Sequence, residues 1–433
     1  MTHSPPVNQC AVQLVGPDEL RLNREKPVHT PGPHQLLCRV EVVGLCFSDL
    51  KLLKQFSGHV RKSEVVGGIE PRVLNEVPNY VPGEAPTVPG HEAVVRVVEV
   101  GEKVSNHKVD DRFLVQADWR HIQNAETNAA FGYNFEGALQ EYVLLDERLI
   151  MNKSGESMLL PASEDLPASA VALVEPWACV EDSYVVEERI GLREGGHLLV
   201  VAGHPNAAAS VKKFLQERQT SGRVSWIGPA PKGMAATVVD GIEALKDDSV
   251  DDLLFFGGDA GLLEAAFKKV AAHGLVLLVQ CGTPFGRPVV TPVGRLHYGG
   301  MRIAGTPGDD PAAALESIPA SGEIREGDRI NVVGAGGPMG TMHVIRNLCQ
   351  GVEGISMWAG DMSDERLAVL SRLAEPLADH LDVSFQVYHA ETNTPRQQFD
   401  YTALMVPAPA LVATAVAGSS PRGIINIFAG IPV

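Results

Sequence analysis

The chain has 433 residues, a formal net charge of −17 and 45% apolar residues, enough for about three domains with a core each. That acidic balance argues against a nucleic-acid or anionic-membrane partner, since both need a positive footprint, and no apolar run is long enough to span a bilayer. The six cysteines (10, 38, 46, 179, 281 and 349) are scattered without a Cys-x-x-Cys pair. No basic stretch precedes a hydrophobic one at the N-terminus, so a reducing, cytoplasmic setting is expected.

In chain order, residues 1–165 read as short strands with turns. QLLCRVEVVG, AVVRVVEVG and ALQEYVLL are β-rich runs bounded by glycine and proline. A polar stretch over 52–88 reads as a long loop or insertion between them. From 166 the pattern changes to apolar strands alternating with helices: HLLVVAG, AAASVKKFLQE, RVSWIG, DDLLFFGG and LVLLVQCG. Near residue 328 it restarts with GDRINVVGAGGPMG and TMHVIRNLC. DDLLFFGGDAGLLEAAFKKVAAHGLVLLVQCGTP parallels DYTALMVPAPALVATAVAGSSPRGIINIFAGIP, an internal duplication. The predicted fold class is therefore α/β: a β-barrel-like domain over 1–165, then two tandem doubly wound parallel-sheet units over 166–310 and 311–433. RPVVTPVGRLHYGGMRIAGTPG follows the first copy and has no counterpart in the second.

Three segments carry candidate metal chemistry: GLCFSDL, PGHEAVV and ALVEPWACVEDSY. A catalytic zinc takes three protein ligands and keeps one open position. Cys46, His91 and Glu175 offer sulfur, nitrogen and oxygen for it. Such a zinc acidifies a substrate hydroxyl, and Ser48 is placed to carry the proton outward. Asp49 or Glu92 is placed to orient the histidine. Each segment alone has an ordinary structural reading, such as a core cysteine, a turn histidine or a Glu-Pro helix start; their joint occurrence carries the expectation.

These segments resemble the zinc-containing medium-chain dehydrogenase/reductase superfamily, the alcohol and sorbitol dehydrogenases. The resemblance runs from AVQLVGPDELRLNREKPVHTPGPHQLLCRVEVVGLCFSDLKL through GHEAVVRVVEVGEKV, KVDDRF and GALQEYVLL, and covers most of residues 10–310. It implies a GroES-like catalytic barrel, Rossmann-like units, zinc ligation by Cys46 and His91, and a third ligand at Glu175 as in the sorbitol type. Glu92 then matches the glutamate of the Gly-His-Glu segment, a nearby or alternate ligand, and Ser48 the proton-relay hydroxyl. Cys179, one helical turn from Glu175, is a rival third ligand. Phe47 stands where the sorbitol type has glycine, Cys46 and His91 lie 45 residues apart, and residues 105–140 hold no cysteine for a structural-zinc lobe. One zinc per chain is implied, and the family pattern adds a homo-oligomer.

The dinucleotide loop is expected after the first strand of an α/β unit. In VVAGHPNAAAS, Ala202, His204 and Ala207 replace glycines, and their side chains would keep a pyrophosphate from the backbone. VVGAGGPMG in the second unit has the required strand–loop–helix context. Ala335, Gly337 and Gly340 take the motif positions, with Gly336, Pro338 and Met339 between them and a helix N-terminus facing the phosphates. Asp361, 21 residues past Gly340, would accept from both ribose hydroxyls and repel a 2′-phosphate, favouring NAD over NADP.

Glu175 leans toward polyols and sugars by the resemblance. GRLHYGGMRIAGTPG and the late glycine loop resemble L-sorbose-1-phosphate reductase-type proteins, which implies a sugar phosphate. His59, Arg61 and Lys62 in SGHVRKSE would grip that phosphate. The expected activity is hydride transfer between NAD and a polyol, ketose or sugar phosphate. Two alternatives stand beside it: a zinc-free reductase of the quinone-reductase kind and a non-catalytic dinucleotide-binding protein.

Overall fold

A computed structural model describes residues 4–186, 188–218, 222–229 and 232–431. Two compact units divide the chain between Cys179 and Val180, inside the helix Val174–Asp182.

Among the described residues, unit 1 holds ten strands: β1 (Asn8–Gly16), β2 (Glu19–Pro27), β3 (Gln35–Gly44), β4 (Val65–Gly67), β5 (Glu92–Val100), β6 (Arg112–Val115), β7 (Asp118–Asn124), β8 (Asn128–Ala130), β9 (Tyr142–Asp146) and β10 (Leu159–Pro161). The main sheet runs β10-β6-β5-β3-β9 and is antiparallel throughout. Alternate residues of β3, β5 and β9, such as Leu36, Cys38, Val95, Val97, Val143 and Leu145, turn into one core with Trp119 from the small β4-β7-β8 sheet and with Phe131 and Phe135 from the loop after β8. The stretch 52–88 is ordered rather than one open loop: it carries two 3-10 turns (Phe56–Gly58, Val60–Lys62), β4 and the helix Pro71–Leu74. The helix Ala168–Ala172 buries Val171 and Ala172 against Val94 and Leu114. Residues 166–179, expected to open the first α/β unit, therefore pack with unit 1.

Unit 2 contains two parallel sheets. The first has β11 (His197–Ala202), β12 (Arg223–Ile227), β13 (Thr237–Val238), β14 (Val250–Phe256), β15 (Val270–Val279) and β16 (Arg302–Thr306), in the order β13-β12-β11-β14-β15-β16. The second has β17 (Arg329–Val333), β18 (Ser356–Asp361), β19 (Ser384–His389), β20 (Phe399–Leu404) and β21 (Ser419–Ile427), in the order β19-β18-β17-β20-β21. Both follow the doubly wound Rossmann order, outward from the first strand in both directions. Both faces of the first sheet are buried, Leu198, Val200, Leu254 and Phe256 on one side and Leu199, Val201, Leu253 and Phe255 on the other. This explains their unbroken apolar runs.

The duplication extends to register. Asp252 pairs with Leu275 in the first sheet and Tyr401 with Ile424 in the second, each after an irregularity that follows Val250 and Phe399. His273 (φ 57°) and Arg422 (φ 66°), each followed by glycine, occupy the left-handed region at the equivalent bend of both copies. Asp251 accepts the amide of His197 at 2.8 Å, and Asp400 that of Arg329 at 3.0 Å, so each copy fastens its first strand by the same contact. The second sheet lacks only a counterpart of β16 among the described residues. No helix there is long and apolar enough to cross a membrane.

Candidate metal centre and dinucleotide loop

β3 ends at Gly44, and the chain turns at once into the helix Phe47–Gln55 with Cys46 as its N-cap. Asp49, in the first turn, accepts the Cys46 amide at 2.9 Å, which fixes the turn that presents Cys46 and Ser48. The loop into β5 brings His91 to the same place. Its Nε2 lies 3.2 Å from Ser48 Oγ, and its Nδ1 lies 3.3 Å from Asp49 Oδ1. Asp49 Oδ1 also accepts the Gly90 amide at 3.3 Å. His91 Nδ1 is buried without a well-aligned hydrogen bond.

One ligand atom each from Cys46, His91 and Glu92 lies within 4.8 Å of the others. Ligands 2.0–2.3 Å from a tetrahedral zinc stand roughly 3.3–3.8 Å apart, so a small contraction would close the set. The charges lean the same way. Burial opposes a cation on His91, yet Asp49 and Cys46 beside it lift its pKa to about 11. Burial raises the carboxyl pKa of Glu92, and that of Glu175, above the usual range. A partly buried cluster of a thiol and several carboxyls around one imidazole has an excess of potential negative charge, which a divalent cation would neutralise. The donor set therefore fits zinc.

Glu175 does not join the three-residue donor group, although it lies within electrostatic reach of His91, Glu92, Asp49 and Arg61. The carboxylate beside Cys46 and His91 is that of Glu92, which directly follows the histidine in sequence. Glu92 lies opposite Gly44 in the β3–β5 register. A Cβ at Gly44 would stand 2.1 Å from Glu92 Oε2, so the glycine opens the space that this carboxylate occupies. Cys179 is exposed on the same helix as Glu175.

Two further residues of the site escaped the sequence reading. Gly44 is one; its only signal is a glycine at a strand end facing a Gly-His-Glu strand start. The other is Tyr133, buried to 3% exposure, whose ring lies 5.5 Å from that of His91 and whose hydroxyl reaches Ser48. Tyr133 sits in an irregular loop, where periodicity gives no warning of convergence.

The proposed phosphate cluster is split by the fold. Lys62 is fully buried, and its Nζ donates to the carbonyls of Val81 and Ala85. A chain stretch that reads as solvated thus buries its lysine as a structural clamp, which corrects the expectation that it grips substrate. His59 Nδ1 accepts the Arg61 amide, and burial drives its pKa down to about 4, leaving a neutral ring at 5.1 Å from Tyr133. Arg61 alone remains partly accessible, with its guanidinium 5.5 Å from the Tyr133 ring centroid and 3.7 Å from Asp118.

In unit 2, Gly334 leaves β17 at φ 83°, and Gly337 caps the helix Pro338–Cys349, with Pro338 at its first position and Met339 following. A Cβ at Gly340 would stand 2.3 Å from Gly334 O, so only glycine lets the helix approach the strand this closely. Asp361, at the end of β18, accepts the Gly336 amide at 3.0 Å through one oxygen and the Ser363 amide at 3.0 Å through the other. Ala335 is buried beneath the loop. The first copy differs at both points. Its loop carries His204, whose Nδ1 accepts the Asn206 amide, and its second strand is followed by Gly228 where the second copy has an acid.

Residues 32–155 match the model of the alcohol dehydrogenase GroES-like domain. The matched residues lie in unit 1. Over 162 residues the chain is 26% identical to alcohol dehydrogenase notN of Aspergillus sp. strain MF297-2, covering 34% of this chain and 38% of that one. It is 24% identical over 340 residues to mannitol-1-phosphate 5-dehydrogenase of Aliivibrio fischeri, covering 69% and 78%. The solved structure of 2R,3R-butanediol dehydrogenase from Bacillus subtilis aligns at a TM-score of 0.32 and 20% identity, over 75% of this chain and 92% of that one. The chain thus spans well under half of the first relative and about three quarters of the second.

Proposed function

We propose that the protein is a zinc- and NAD-dependent dehydrogenase acting on a CH–OH group of a polyol, ketose or sugar phosphate. The convergence of Cys46, His91 and Glu92 carries this reading. A reductase of the zinc-free kind has no use for a thiol, an imidazole and a carboxylate gathered at one point. Relatives named as a sorbitol dehydrogenase and an erythritol/L-threitol dehydrogenase support the polyol class.

Cys46, His91 and Glu92 would hold the metal, with Glu175 as an alternate carboxylate. Bound zinc would supply Lewis acidity toward a substrate oxygen. The chain's own residues do the rest. Asp49 orients the imidazole while capping the helix that presents Cys46. Ser48 Oγ, between His91 and Tyr133, is placed to hold the substrate's hydroxyl proton, and Tyr133 closes that side of the site against water. Arg61, over the Tyr133 ring, is the residue available to an anionic substituent such as a sugar phosphate. The Gly334–Gly340 loop would take the pyrophosphate and Asp361 the ribose hydroxyls.

The test is a screen of polyols and their phosphates with NAD, with zinc measured in parallel. About one zinc per chain and NAD-linked oxidation of at least one polyol are expected, and both should vanish in Cys46→Ala and His91→Ala. A folded, zinc-free protein that turns over the same polyols would sink the reading. Arg61→Ala should raise KM for phosphorylated substrates only; an equal effect on unphosphorylated ones removes the phosphate role.

A further inference from the structure

Unit 1 holds a second constellation that shares no residue with the metal centre. Glu147 opens the short helix after β9 and is mostly buried. Its carboxylate accepts the amides of Ser105 at 3.0 Å and Asn106 at 2.8 Å, and it lies 3.0 Å from His107 Nδ1. Burial opposes its charge, but those amides and His107 hold its pKa below the usual carboxylate range. An ionised carboxylate only accepts, so Nδ1 of His107 carries a proton, and Nε2 is the acceptor of the neutral ring. Nε2 faces Ser157 Oγ at 3.1 Å. Phe113 lies edge-on to the imidazole at 5.4 Å and locks its plane. Ser157 is half-buried, and its Oγ accepts the Leu159 amide at 3.0 Å, which leaves the hydroxyl proton to point at His107.

Hydroxyl, imidazole and carboxylate thus stand in line at hydrogen-bond distances, with the tautomer set by the acid. This is the arrangement that activates a serine nucleophile on unrelated folds. A purely structural tie between the loop 105–107 and the segment around Ser157 would be served by any hydroxyl–imidazole contact. It would not require an acid held ionised by two amides on the far side of the ring.

We propose that Ser157 is an acyl-accepting nucleophile, activated by His107 and oriented through Glu147, that takes acyl groups from small activated esters. In the step, Ser157 Oγ bonds to the ester carbonyl carbon while His107 Nε2 takes the hydroxyl proton. The carbon–oxygen bond to the leaving group breaks, and that proton passes from Nε2 to the departing oxygen. The product is O-acyl Ser157 and a free alcohol or phenol, with no redox change. His107 acts as the base, and Glu147 is a positioning residue.

The test uses the full chain with p-nitrophenyl acetate and peptide mass mapping. One acetyl group on Ser157 is expected, released in step with one equivalent of p-nitrophenol and forming much faster than acetylation of exposed Ser154. Ser157→Ala should lose that acetyl-peptide and the fast phase while keeping its circular dichroism. His107→Gln should slow the reaction at least ~100-fold, the usual share of a general base. Acetylation of Ser157 no faster than of Ser154 in the wild-type protein overturns the proposal, and this holds even if His107→Gln fails to fold. An undiminished rate in a folded His107→Gln protein overturns it as well.

Discussion

The two parallel sheets of unit 2 share strand order, register and the bend after the fourth strand's helix, yet differ at the loop where such folds bind nucleotides. Counting on from the equivalent strand ends Val201 and Val333, His204 stands for Gly336. Fully buried Val211 and Phe214 stand for His343 and Arg346. Under the first copy's helix lies an ordinary apolar core. Under the second lies a polar network: Arg346 pairs with Glu181 and Glu323 and covers the Tyr184 ring at 3.6 Å, and the Tyr184 hydroxyl meets His343 Nδ1 at 2.9 Å. Scaffold and site therefore separate cleanly. Register and strand-fastening contacts persist in both copies, whereas the glycine loop, the acid at the end of its second strand and the polar underlay occur in one.

The sharpest way to break this contrast is at the loops. Gly340→Val should abolish NADH binding in a fluorescence titration, because its Cβ would meet Gly334 O at 2.3 Å. His204→Ala should leave the affinity within about twofold, as a surface change away from the site does. The opposite pattern would assign the cofactor to the first copy. Next in size, Arg346→Ala should cost about 3 kcal/mol in urea unfolding. The lower end of the range for a broken buried pair applies because Glu181 and Glu323 remain 45% and 43% exposed and can rehydrate. A change below 0.5 kcal/mol would make the underlay incidental. Asp361→Asn should weaken NAD about tenfold, the worth of one charged hydrogen bond, and narrow the gap to NADP; an unchanged ratio of the two affinities would remove the acid from recognition.

The smallest effect tests what the copies share. Asp251 and Asp400 both hold carboxyl pKa values below the ordinary range. Against the opposing effect of burial, Asp251 is held down by the His197 amide and Arg193, and Asp400 chiefly by Arg329. A depressed folded pKa gives stability that is complete above the unfolded value near 4 and drains as pH falls through the folded one. Melting temperature should therefore decline below about pH 4. Asp251→Asn and Asp400→Asn should each flatten that decline, Asp400→Asn the more strongly. A flattening from only one of them would show the fastening contact to be unequal between the copies.

Much of this was readable along the chain. The duplication lay in two aligned segments starting at Asp251 and Asp400, and the intact loop in spaced glycines, because both are local patterns. Cys46, Ser48, Asp49 and His91 were found from turn and strand edges that the structure does bring together. What the chain did not show depended on pairing across distance. Glu92 comes within reach of Cys46 and His91 because of its register opposite Gly44, which no local pattern encodes. Lys62 reads as a solvated charge until the carbonyls of Val81 and Ala85 are seen around it. Tyr133 reaches His91 only through the fold of an irregular loop.

His273 and Arg422 show what copying leaves behind. Each holds a left-handed backbone that disfavours any side chain by about 1–2 kcal/mol, and the two side chains have nothing in common. The bend thus outlived whatever residue first occupied it, as an inherited defect that each copy has patched in its own way. Arg189 reaches the His273 carbonyl and Arg422 the Glu316 carbonyl. For anyone seeking a hardier version of the protein, this doubled bend marks where thermal tolerance has been left unclaimed twice over.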